Sequence, residues 1–75
     1  MVRIKNLKSR KVEDGVFYIT EKEAISICNE SDPKKHFIGL PNNGWERRVR
    51  FNNKWWWLGK KNIDGKCFWI IKLIT

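Results

Sequence analysis

The chain is short of the residues from which most catalytic and metal sites are built: one histidine, two cysteines and eight acidic side chains among 75 residues. With no CxxC, no second histidine and no clustered acids, zinc or catalytic-metal chemistry has no ligand set, and neither metal nor cofactor is expected. His36 follows Cys28 in the chain, but nothing near them supplies an orienting acid or an oxyanion donor. A Cys-His nucleophile pair therefore has no support, and His36 reads as a surface or capping residue. The scattered carboxylates argue against paired-acid hydrolysis, and the five glycines form no phosphate-cradling loop. The expectation is a protein that is not an enzyme.

Long apolar runs are missing too. None approaches the roughly 20 residues that cross a bilayer, and the opening Met-Val-Arg-Ile-Lys has no apolar signal core. Two cysteines are too few for the disulfide framework of a small secreted domain, so both are expected as reduced thiols at or near the core. The expected address is cytoplasmic, with no membrane partner. No repeat, linker or low-complexity tract divides the chain. Residues 1–75 read as one small domain, which buries only about 60% of its unfolded surface. Apolar residues at 41% and aromatics at 13% supply enough burial to order it.

Positive charge and tryptophan are what the chain has in plenty. Its net charge is +8, from 16 basic and 8 acidic residues. Residues 1–40 carry eight basic and six acidic side chains, whereas residues 41–75 carry eight basic and two acidic, together with all five tryptophans. The positive field coincides with the aromatic segment, which favours an anionic partner there, although net charge also serves solubility alone.

Local patterns predict a small α+β domain in the order ββαβββ. Residues 3–11 hold Arg3, Lys5, Lys8, Arg10 and Lys11 without an acid, and read either as a first strand or as a partly flexible basic arm. Asp14-Gly15 is a hairpin turn between strands near 2–12 and 16–19. Thr20-Glu-Lys-Glu23 is a capping box opening a helix over about 21–30, with Ala24, Ile27 and Cys28 as its apolar stripe and Ile25 at the edge. Ser31-Asp32-Pro33 ends it. Residues 36–44 read as a connection with at most one short extended segment at 36–40. Strands at about 45–51, 54–61 and 66–74 then form a three-stranded antiparallel meander with the helix on its core face. The first hairpin joins it as a small five-stranded sheet or an open barrel.

The turns set which side chains share a face. Asparagine tolerates positive φ, so Asn52-Asn53 suits a two-residue turn that places Arg50 opposite Trp55, Val49 opposite Trp56 and Arg48 opposite Trp57. Strand alternation then sends Val49, Phe51, Trp56 and Leu58 to the core and Arg48, Arg50, Trp55 and Trp57 to the other face. Across Asp64-Gly65, either a two- or a four-residue loop adds Trp69, Ile71 and Leu73 to the core face and Phe68, Ile70 and Lys72 to the other.

Tryptophan offers a flat surface to an unpaired base and arginine grips phosphate, so that second face reads as a single-strand-binding platform in preference to a duplex reader. Arg48, Arg50, Trp55 and Trp57 are its expected centre, and Lys54, Lys60, Lys61 and Lys72 are expected to add electrostatic attraction. Three other readings fit the same residues. The N-terminal hairpin could cover Trp55, Trp57, Phe68 and Ile70 as a second core layer. Alternatively the face could be a hot spot for an acidic protein, in a small regulator or inhibitor of viral or mobile-element style, or a homodimer interface.

Overall fold

The computed structural model describes residues 4–41 and 45–74. Its elements are a 3-10 helix at Leu7–Arg10, β1 (Lys11–Glu13), β2 (Val16–Ile19), α1 (Glu21–Ser31), β3 (Glu46–Phe51), β4 (Lys54–Ile63) and β5 (Lys66–Leu73). The five strands form one antiparallel sheet in the order β1-β2-β5-β4-β3, which stays open.

The turn chemistry accounts for the meander. Asn52 and Asn53 both adopt positive φ, 55° and 62°, as does the Asp64-Gly65 pair, so both hairpins close with two-residue loops. The resulting ladders pair Phe51 with Lys54 and Ile63 with Lys66, and carry Leu58 opposite Ile71. Thr20 accepts from the Glu23 backbone N–H while the Glu23 carboxylate accepts from that of Thr20, the reciprocal box that starts α1. At the other end the Asp32 N–H closes on the Cys28 carbonyl, one residue before Pro33.

One face of the sheet and the stripe of α1 make the core. Val49, Leu58, Ile71, Ala24 and Ile27 are fully buried, with Phe51, Trp56 and Trp69 beside them. The Trp56 indole N–H donates to the Phe51 carbonyl at 2.8 Å, so the large ring is buried without an unsatisfied donor. Ser31, at the end of α1, accepts the outward Arg50 N–H at 2.9 Å and caps the β3 edge. Asn29 holds the following loop by bonding both the N–H and the carbonyl of Phe37. Residues 36–40 form no strand, and residues 42–44 of the expected connection lie outside the described residues.

The N-terminal segment departs from expectation. Leu7–Arg10 is a 3-10 helix, and β1 is only three residues long. Ile4 and Leu7 pack against the core cluster, and Arg10 pairs with Glu23 of the capping box, so this stretch is docked by both an apolar and an ionic contact. Nor does the first hairpin fold over the Trp55 and Trp57 face. Instead β2 pairs along β5, from Val16 opposite Lys72 to Ile19 opposite Trp69, and widens the sheet edge to edge. The cysteines separate as well: Cys28 is buried, whereas Cys67 is exposed rather than near the core.

Candidate nucleic-acid interface

With α1 on one side, the opposite side of the sheet is left open by the described elements. Register sets its content: Arg48 and Arg50 from β3, Trp55, Trp57 and Lys61 from β4, Phe68, Ile70 and Lys72 from β5, and Val16 and Tyr18 from β2. Trp55 is 42% exposed. The Arg50 guanidinium lies 5.6 Å from its ring centroid, a cation–π contact that holds the arginine head beside a solvent-facing indole.

Trp57 is held differently. It is half-buried, and its indole N–H donates to the Glu46 carboxylate at 2.8 Å. Its ring passes over Gly59, which has no Cβ to obstruct it. In register, Trp57 lies between Arg48 on β3 and Lys72 on β5. Beside it is a groove of about 500 Å³ whose apolar lining includes the buried Val16 and Ile70. Arg48, Lys61, Lys72 and Glu13 supply its charged lining.

The structure thus brings together six of the eight expected residues: Arg48, Arg50, Trp55, Trp57, Lys61 and Lys72. It places Lys54 and Lys60 elsewhere. Lys54 is opposite Phe51 and Lys60 opposite Trp69, both on the helix side, and the Lys60 ammonium lies 5.2 Å over the Trp69 ring. Strand parity already separates Lys60 from Lys61; counting charge by segment conceals it. Glu46, Gly59 and Tyr18 were not singled out from the sequence. Glu46 shares parity with Arg48 and Arg50, and a glycine inside a strand signals close approach, so two of the three carried a readable sign.

The basic residues divide by what they touch. Arg10 pairs with Glu23, Lys11 with Asp14 at 2.6 Å, and Arg47 with Asp32 at 3.4 Å while it covers Phe37. Among the described residues, Arg48, Lys61 and Lys72 make no ion pair. Cations left without acids around an apolar groove suit an anionic ligand that also presents a flat apolar surface. Burial raises the Cys28 thiol pKa, partly opposed by Arg47, which disfavours the thiolate form. Among the described residues, no group of three His, Cys, Asp or Glu side chains could hold a metal ion. No described helix is long and apolar enough to cross a membrane.

No protein-family model, curated protein or solved structure matches this chain.

Proposed function

We propose that the protein binds single-stranded nucleic acid across the open face of its sheet, without catalysing a reaction. One observation carries the reading: an exposed Trp55 stacked with Arg50 lies on the same face as Trp57, Arg48, Lys61 and Lys72. A base stacking on Trp55 would gain about 1–3 kcal/mol, and arginine and lysine would take the neighbouring phosphates. The free thiols of Cys28 and Cys67 suit a cytoplasmic setting.

An acidic protein surface on the same face is the rival reading. It is favoured by the Tyr18 and Phe68 rings, 6.2 Å apart and both exposed, because clustered aromatics also make protein hot spots. Titration of single-stranded and duplex oligonucleotides with tryptophan fluorescence, at two salt concentrations, separates the two. Nucleic-acid binding predicts quenching by single strands that weakens with salt. With four cations engaged, log affinity should fall with log salt at a slope of about −3. Absence of quenching by any nucleic acid, or a flat salt response, would sink this reading and favour the rival.

A further inference from the structure

The groove beside Trp57 differs from the stacking surface at Trp55. A planar group laid on Trp55 remains on the outside of the sheet, whereas the groove has an apolar floor between strands and charged side chains at its margin. Its volume of about 500 Å³ lies in the range of sites for small planar ligands. Three of the charged side chains, Arg48, Lys61 and Lys72, are cations with no acid paired to them among the described residues. The fourth is Glu13, the sole acid lining the groove, which makes no ion pair with them.

Glu13 reaches this position through a break in the ladder. Lys11 pairs with Phe17, but Glu13 pairs with Val16, so the register slips by one residue between them. Bulges of this kind re-aim side chains, often beside functional sites. Val16, the partner of Glu13, lies on the open face opposite Lys72. A carboxylate among three cations would weaken a site that only had to attract phosphate. It has a use if part of the ligand is a hydrogen-bond donor.

We infer that the groove takes one unpaired base, with Trp57 as its stacking wall, and that Glu13 favours a base carrying an exocyclic amino group. This rests on the single-strand reading above. The anionic backbone on either side of the base meets Arg48, Lys61 and Lys72, and the Glu13 carboxylate accepts from the amino group, as acidic side chains do from cytosine N4. Thymine and uracil present a carbonyl oxygen at that position and are repelled by the carboxylate.

The test compares oligo-dC with oligo-dT of about 12 nucleotides, within the span a small single-strand-binding domain covers. Affinities are read by tryptophan quenching at one salt concentration and neutral pH, for the full chain and for Glu13→Gln. The wild type should prefer oligo-dC by about fivefold, roughly the net worth of one hydrogen bond. Glu13→Gln should bring that ratio close to one, since an amide both accepts and donates; removing a negative charge should also tighten both ligands. Glu13 is exposed, so the variant keeps its fold. Equal wild-type affinities, or a preference that survives Glu13→Gln, would overturn the groove assignment and leave single-strand binding standing. If neither oligomer binds, the reading on which the inference rests fails as well.

Discussion

The Trp57 indole passes so close over Gly59 that a Cβ on the glycine would fall 2.6 Å from the ring. The contact is possible because Gly59 is the one position in β4 without a side chain, and it lets Glu46, opposite Gly59 on β3, take the indole N–H. Gly59→Ala should therefore displace Trp57 and break its bond to Glu46. The backbone carbonyl of Trp45, 3.3 Å from the same Cβ, limits how far the strand can move to adapt. The expected cost is about 1–3 kcal/mol, typical of overpacking. It is checked by the urea midpoint, together with a red shift of tryptophan emission as the indole meets water. An unchanged spectrum would mean that Trp57 is not held in this way.

Adjacent tryptophans should behave oppositely. Trp56 is 4% exposed with its N–H bonded to the Phe51 carbonyl, so Trp56→Ala opens a large cavity and strands an acceptor. A loss of about 3–5 kcal/mol is expected, close to the whole stability of so small a domain. Trp55→Ala removes a half-exposed ring and should leave the circular dichroism spectrum and the melting temperature nearly unchanged. If the proposed function holds, the same variant should weaken single-strand binding by about tenfold, in the range of one lost stacking contact. Unfolding of Trp55→Ala would instead assign that ring to the core.

What could be read from the sequence depended on whether the signal was local. Asn52-Asn53 suits a two-residue loop, and at Asp64-Gly65 a two- and a four-residue loop share the same parity, so the faces of β3, β4 and β5 are legible in the sequence, while the pairing of Ile63 with Lys66 fixes the shorter loop. Thr20 and Glu23 announced α1 in the same way. The partner of β2 was not announced. Val16 and Lys72 are far apart in the chain, and no turn links their strands, so covering the open face and widening the sheet were equal options on sequence alone. Residues 7–10 carry no decisive local signal, for a related reason. Ile4 and Leu7 are spaced for one turn of helix as well as for an irregular strand, and the Arg10 to Glu23 contact that settles the matter is tertiary.

Glu23 links that contact to pH. Burial raises its pKa, but the Thr20 backbone N–H and the Arg10 guanidinium outweigh burial and hold it below the ordinary carboxylate range. Because the folded-state value is the lower one, the stabilisation is complete above the ordinary range and fades as pH falls through the folded value. Chemical denaturation from about pH 7 to about pH 3 should show the wild type losing stability at the acid end. Glu23→Gln, which can keep much of the cap but loses the ion pair, should show a smaller loss over the same window. Parallel curves for the two proteins would rule out a contribution from Glu23 ionisation. Thr20→Ala should cost about 1 kcal/mol at neutral pH through loss of the cap itself.

Two neighbouring lysines give the sharpest test of which face meets an anionic polymer. Lys61 points to the open face and lines the groove; Lys60 points to the helix side and lies over Trp69. Both substitutions to alanine remove one charge, so a ligand attracted only by the overall field would respond alike to either. A ligand laid on the open face would not. Lys61→Ala should then reduce the magnitude of the salt slope by about 0.7, the loss of one phosphate contact on a single strand. Lys60→Ala should leave the slope unchanged and lower stability by roughly 0.5–1 kcal/mol through loss of its contact with Trp69. Equal slopes for the two variants would show that charge, and not the face, governs attraction. A slope altered only by Lys60→Ala would place the ligand on the side that carries α1.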